Sequence, residues 1–450
     1  MKKLALAWVL VLGGVPPLAV GQSITYDDVV VVVNSNDSVS VALGNYFMAA
    51  RSIPAVNLIP VDAPMLETID ASQFQLVKQQ IKSYMLANSL VGPINYMVMM
   101  KGMPHRVGTT YCDSIPPIGC ASLDAEMVLL FSPDSSAMLT NQWINNMNYG
   151  NALPHAYAND DLIYVTRITA HDATDAIALI DRSGPLIPVT MWNSLVIGDI
   201  QNPATINYFH TSFEAFFAPL IVAGWPTSID TTAYSYTGQN NVACFLSADD
   251  LPQVGVPDLD WIPGGLSMSY TISAGASFGD GPSDPGSMRC ADIIADGASG
   301  VRGEITVSPN YDMSGMNHTL TNYYVPGNNL NLADSYFSGI YHLSRFDVII
   351  GDPKTSLTIS VGLGPDAQGS ATELRAFPNP ALDVLTVPIE RSKVLRYQLL
   401  SMDGRALAAP ALPTSAGPLS LSVSELPTGA YLLQLHTTEG LRMARFTVVR

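Results

Sequence analysis

The chain is short of charge. Only 13% of its 450 residues are Asp, Glu, Lys or Arg, about half the roughly 25% of an ordinary soluble protein. Basic residues are the scarcer sign, 21 against 38 acidic. Two of the basic residues lie in the first three positions and eight from Ser370 onward, where six of the acidic ones also fall. Residues 22–369 therefore hold 11 basic and 32 acidic side chains, a net charge of −21. A surface of that sign repels phosphate backbones and anionic lipid, which argues against both as partners; it suits solubility, or the attraction of cations.

Metal motifs are also missing. There is no H-E-x-x-H, no C-x-x-C and no EF-hand loop, so no cofactor is indicated. What remains is calcium at the paired carboxylates Asp249 with Asp250, or Asp280 with Asp284, which serve equally well as solvated loop residues. Cysteine is limited to four, an even number that suits an exported protein. Cys112 and Cys120 flank "DSIPPIG", a turn able to close a small disulfide loop. Cys244 and Cys290 read as buried thiols, with a second bridge as the alternative. No internal repeat is visible, and after the N-terminus no apolar run is long enough to span a bilayer.

The N-terminus has the parts of a secretory signal: Lys2 and Lys3, an apolar stretch over residues 4–20, and a small-residue site at Ala19 and Gly21. Residues 1–21 read as a cleaved leader, which places the protein in or beyond the periplasm.

The full chain is 48% hydrophobic, ample for a large core. "YDDVVVVVNSND" opens with five β-branched residues in a row, the pattern of a strand buried on both faces. "SVSVALGNYFMAARSIP" has helical spacing and stops at a proline, and "AVNLIPV" is a second strand. In "DASQFQLVKQQIKSYML", Asp70 and Gln73 form a capping box ahead of an apolar stripe at Phe74, Val77, Ile81, Tyr84 and Met85. "INYMVMMKGMP", "DLIYVTRI", "DATDAIALIDRS", "PVTMWNSLVIGD", "NVACFLSADD", "GGLSMSYTISAGASFGD", "DGASGVRGEITVS" and "RFDVIIGDP" continue the rhythm. Alternating strands and helices predict an α/β main domain over residues 22–360 with a mostly parallel sheet, whose ligands belong at the carboxyl ends of the strands. Residues 361–375 read as a linker, and residues 376–450 as a small antiparallel β-sandwich with turns at Asp403-Gly404 and Thr428-Gly429.

Candidate chemistry is thin. Ser277 sits in "GASFG", the G-x-S-x-G pattern of a nucleophile elbow, but "DGPSDPG" follows instead of the required helix, so an ordinary small-residue turn fits as well. His318 lies downstream as a formal triad partner. Asp249, Asp280 and Glu304 stand at strand ends as carboxylate candidates, and His105, beside Arg106 in "GMPHRV", is the best-placed histidine.

The C-terminal residues carry a specific resemblance. Pro378, Asn379, Pro380 and Ala381, then Asp403, Gly404 and Arg405, then Leu426, Pro427, Gly429 and Tyr431, and Arg450 at the end, are similar to the sorting domain that sends Bacteroidota proteins through the type IX (Por) secretion system. That resemblance implies recognition by the secretion machinery and a secreted or cell-surface destination. The main domain resembles an uncharacterised family of exported bacterial proteins through "INYMVMMKGMPHRV", "YVTRITAHDATDAIALID", "IPGGLSMSYTISAG", "GASGVRGEITVSP" and "VIIGDP". The order of its later motifs is more distantly similar to a gingipain or caspase-like cysteine peptidase, where one strand ends in His-Gly and the next in the nucleophilic Cys. This chain has Ser247-Ala248 at the first place and no cysteine near Ser273 at the second. The expectation is a secreted α/β protein on a peptidase-like scaffold that lacks the dyad, a binding or surface protein; a serine- or carboxylate-dependent hydrolase is the alternative.

Overall fold

The computed structural model describes residues 24–108, 120–132, 144–200, 206–232, 237–248, 257–269, 274–279, 288–305, 315–343, 346–360, 372–374, 376–390, 394–401, 406–407, 417–437 and 440–450. The leader and residues 361–371 of the linker lie outside them.

The valine run forms β1 (Val29–Asn34), buried along its whole length. Asp37 then accepts the Val39 N–H and starts α1 (Ser38–Arg51), because a carboxylate satisfies an otherwise orphaned N–H of the first helical turn. After β2 (Leu58–Val61), the Asp70–Gln73 capping box opens α2 (Ala71–Ala87). Phe74, Val77, Ile81 and Met85 face the core, while Tyr84 is half-buried and donates to the Val56 carbonyl. There follow β3 (Tyr96–Met100), α3 (Leu123–Val128), β4 (Tyr164–Ile168) and α4 (Ala173–Arg182), the last capped by Asp172.

The later half continues with β5 (Leu195–Ile200), α5 (Ile206–Ala223), β6 (Thr227–Asp230), β7 (Thr237–Ala248) and β8 (Asp258–Ser269). It ends with α6 (Cys290–Asp296), β9 (Gly300–Glu304), α7 (Met316–Tyr324), α8 (Leu332–Ser338) and β10 (Asp347–Gly351). These strands make one ten-stranded sheet in the order β6-β5-β7-β8-β9-β10-β4-β3-β1-β2. It is mostly parallel, as expected; β9 and β10 are antiparallel. The two halves meet through a single residue pair, Ile350 of β10 with Arg167 of β4. "PVTMWNSLVIGD" divides in two: Ile187–Thr190 leaves the main sheet to pair with Leu357–Ser360, and only its second part enters as β5.

Among the described residues no helix is long and apolar enough to cross a membrane.

At the amino ends of the strands, polar side chains lock the first and last parts of the domain together. The Tyr26 hydroxyl and the Arg51 guanidinium both donate to Asp352. Lys354 pairs with Asp28 and donates to the Thr25 carbonyl. Beside them Asp334 accepts from the Tyr96 hydroxyl at 2.9 Å, the His155 N–H and Asn331.

The C-terminal module is a small sandwich. β11 (Val384–Glu390) pairs with β13 (Pro418–Ser422). A second sheet holds β12 (Val394–Ser401), β14 (Gly429–Thr437) and β15 (Gly440–Val448). Thr372–Glu373, in the stretch read as linker, joins that sheet along β15. Leu385, Val387, Leu419 and Leu421 pack between the layers against Leu399, Leu433, Leu435 and Phe446. Asn379 accepts the Thr447 N–H at 2.9 Å and donates to the Arg445 carbonyl, so its amide continues the edge of β15. The peptide bonds before Pro378 and Pro380 are cis. The Tyr431 hydroxyl donates to the Pro427 carbonyl at 2.7 Å. Arg450 donates to the carbonyls of Leu382, Val423 and Leu426, and its own N–H reaches Thr428. Asp403, Gly404 and Arg405 lie outside the described residues.

Two outcomes follow. Arg450→Ala removes several charge-assisted hydrogen bonds at a partly exposed site and lowers the stability of the module by about 1–2 kcal/mol, read by chemical denaturation, with Arg450→Lys restoring only part. Burial holds the Asp334 carboxyl up at about 7, from an ordinary 3.8. The folded chain keeps this proton where the unfolded chain loses it, so the contribution is greatest at low pH and is lost as pH rises through about 7. Relative to Asp334→Asn, the wild type should lose stability between about pH 4 and about pH 7, by at most about 1.4 kcal/mol per pH unit, and level off above; thermal denaturation of both across pH measures it.

Candidate functional site

The carboxyl ends of β1, β3 and β4 and the loop of residues 274–279 enclose a pocket of about 330 Å³. Each wall follows from a strand end, where the chain leaves the sheet and side chains become available for chemistry. β1 delivers Asp37, β2 leads into Met65, Leu66 and Glu67, β3 delivers Lys101 and His105, and β4 ends at Arg167 and Thr169. Phe278 and Gly279 close the far side.

The floor is a buried ion pair. Arg167 Nε donates to Asp124 Oδ2 at 2.9 Å and Nη2 to Oδ1 at 2.5 Å, while the guanidinium also donates to the Met103 and Pro104 carbonyls, both at 2.9 Å. Burial pushes the Asp124 carboxyl up, and Arg167 opposes that push. The guanidinium thereby carries the chain segment that holds His105. That ring is fully buried, packs tilted against Phe278 with ring centres 4.5 Å apart and meets the Ala276 carbonyl through Nε2 at 3.0 Å. Burial, then the positive charge of Arg167, holds the His105 pKa well below its usual value; the ring is a neutral hydrogen-bonding prop.

Lys101 Nζ donates to three carbonyls, those of Ala170, His171 and Phe278, at 3.0, 2.8 and 3.1 Å, which is all that an ammonium can donate. His171 is bound on both sides by acceptors: Nε2 lies 2.8 Å from Asp292 and Nδ1 3.1 Å from the Gly279 carbonyl.

Ser277 directly precedes the lining residues Phe278 and Gly279. Its hydroxyl donates to Glu67 Oε2 at 2.8 Å, and Glu67 Oε1 accepts the Phe278 N–H at 2.6 Å. The serine thus has a carboxylate partner, but no histidine within hydrogen-bond reach among the described residues. No helix begins at Ser277: residues 274–279 are a loop. His318 stands elsewhere, edge-on to Tyr149 at 5.0 Å. Glu304 ends β9, and its carbonyl accepts the Gly275 N–H at 2.8 Å. Asp249, Asp250, Asp280, Asp284 and Ser273 lie outside the described residues, and among those described no group of three or more His, Cys, Asp or Glu could hold a metal. Cys120 is disulfide-bonded; Cys112, its expected partner, lies outside the described residues. Cys244 and Cys290 are free and buried.

Sequence reasoning missed Glu67, Lys101, the His171–Asp292 pair and the Arg167–Asp124 pair. The rule that ligands bind past strand ends points at Lys101 and Arg167, but nothing local joins His171 to a partner 121 residues away.

Replacing Arg167 with Met leaves Asp124 buried without its partner, and breaking such a pair costs about 3–5 kcal/mol. Arg167→Met is expected to lower the melting temperature sharply, whereas the double change Arg167→Met with Asp124→Leu regains much of the loss; calorimetry on the three proteins checks this.

Comparison with known proteins reaches mainly the C-terminal module. No curated protein matches the chain. Among solved structures, a Saccharomyces cerevisiae separase–securin complex is similar at 12% identity with a TM-score of 0.27 over 44% of this chain, which spans 14% of that chain's length. A superposition that loose carries no argument about the main domain. Residues 375–449 match the family model of the secretion system C-terminal sorting domain, so the β-sandwich at the end of the chain is the part addressed to the type IX secretion machinery, and the protein is exported to the outer surface or beyond the cell.

Proposed function

We propose that residues 22–360 form a ligand-binding domain, placed outside the cell by the sorting module, on a peptidase-like scaffold without the peptidase dyad. The same reading groups it with the exported bacterial family that its motifs resemble. The observation that carries the proposal is how the polar side chains in and behind the pocket are used. Lys101 and His105 hold backbone carbonyls, Arg167 holds carbonyls and Asp124, and His171 holds Asp292 and a carbonyl. General-base catalysis needs a free lone pair within reach of a nucleophile; Lys101, Arg167 and His171 are committed to keeping the pocket's shape, and the lone pair left on His105 Nδ1 is not on Ser277, whose hydroxyl goes to Glu67.

The strands singled out by the peptidase resemblance support the same reading. β7 and β8 are parallel neighbours with Ser247 opposite Ser269, and Ser247 stands where the resemblance asks for histidine. Neither free cysteine suits a nucleophile: both are fully buried, and burial drives the Cys244 thiol upward and the Cys290 thiol to about 12, far from the thiolate that reactivity requires.

One contact favours a second reading, a carboxylate-dependent serine hydrolase: the 2.8 Å bond from Ser277 to Glu67. On the binding reading this bond tethers the 274–279 loop to the segment after β2. Assay of the mature chain against ester, peptide and glycoside substrates separates the two. The binding reading expects no turnover that depends on Ser277. Turnover abolished by both Ser277→Ala and Glu67→Gln, in proteins that melt like the wild type, would overturn it in favour of the hydrolase.

A further inference from the structure

Resting on the pocket as a binding site, we infer that its ligand is an alkyl cation, an ammonium or guanidinium group on a short apolar stem. The argument is an account of donors and acceptors. All three N–H bonds of Lys101 end on backbone carbonyls. Arg167 gives four of its five N–H bonds to Asp124 and two carbonyls beneath the floor. His105 is neutral and fixed on Ala276. Apart from the Thr169 hydroxyl, which works either way, one Nη1–H of Arg167 and the Nδ1 lone pair of the buried His105, the side chains with capacity left in the lining are the carboxylates of Asp37 and Glu67.

Each carboxylate has about four lone-pair directions. Asp37 uses Oδ1 on the Val39 N–H, and its Oδ2 lies over Gly102, so close that a Cβ on that residue would stand 2.1 Å away. Glu67 gives one bond to Ser277 and one to Phe278. Acceptors therefore outnumber the donors that remain. A carboxylate at the start of α1 also takes the place where a helix N-terminus would otherwise receive an anion. The domain's net −21 over residues 22–369 draws cations toward the same opening.

The apolar part of the ligand is called for by the lip. Met65 and Leu66 line the mouth while 66% and 58% exposed, and Val39 lies beside them at 38%. Phe278 adds apolar surface inside, its ring already under the Arg167 guanidinium at 5.9 Å. At about 330 Å³ the volume is at the small end of ligand pockets, roughly 300–1,000 Å³, which suits one long side chain or a small free amine.

The test is titration calorimetry of the mature chain with four probes: agmatine, the blocked peptide acetyl-Gly-Arg-Gly-amide, glutarate and methyl glucoside. Asp37→Asn and Glu67→Gln keep the cap and the tether while removing charge, and Leu66→Ser alters the lip. The expected result is binding of one or both cationic probes, weakened tenfold or more by each charge-removing variant and by added salt, with melting temperatures preserved. Agmatine binding more tightly identifies a free amine as the ligand type, and the peptide binding more tightly identifies a basic side chain. Glutarate or methyl glucoside binding in a manner sensitive to Leu66→Ser, with no cation bound, overturns the cation assignment and leaves the pocket as a binding site. If none of the four binds, both fall.

Discussion

A single buried guanidinium organises the candidate site. Arg167 closes β4 with its charge matched by Asp124, and its remaining N–H groups reach the carbonyls of residues 103 and 104. That one side chain joins the end of a strand, the start of α3 and the segment that leads to His105. Taking both charges out of water is expensive, and only near-complete hydrogen bonding offsets it. Such an arrangement specifies geometry: a shorter or neutral side chain would leave three segments without a common fixed point.

Close approach does the rest. Gly102, at a φ of +92° where side chains are strained, lets Asp37 lie against the backbone after β3. Gly275 comes so near Glu304 that a Cβ would meet its carbonyl at 3.2 Å, which brings the 274–279 loop against the end of β9 and its following residues over to Lys101. The pocket is built of both halves of the sheet, although the halves themselves share one strand pair.

Local features were legible in the sequence because their causes are local. The valine run and the Asp70–Gln73 box each depend on neighbours within a few residues, and each appears where those neighbours place it. The C-terminal sandwich was legible for the same reason, through its alternation and its turns. "PVTMWNSLVIGD" was not, because the pairing of its first part is decided by Leu357–Ser360, some 170 residues on. The site was least visible: Ser277 meets Glu67 across 210 residues, a distance over which residue type alone says nothing of partnership. His105 could be picked out, since standing at a strand end is a local property, but the burial that keeps it neutral is not.

The locked cluster at the amino ends of the strands also sets an orientation. Thr25 and Lys354 are in direct contact, so the start of the main domain and the stretch after β10 meet at one end of the sheet, and the pocket opens at the other. The opening lined by Asp37 and Glu67 lies at the carboxyl ends of the strands, away from the lock that ties the start of the domain to its last strand.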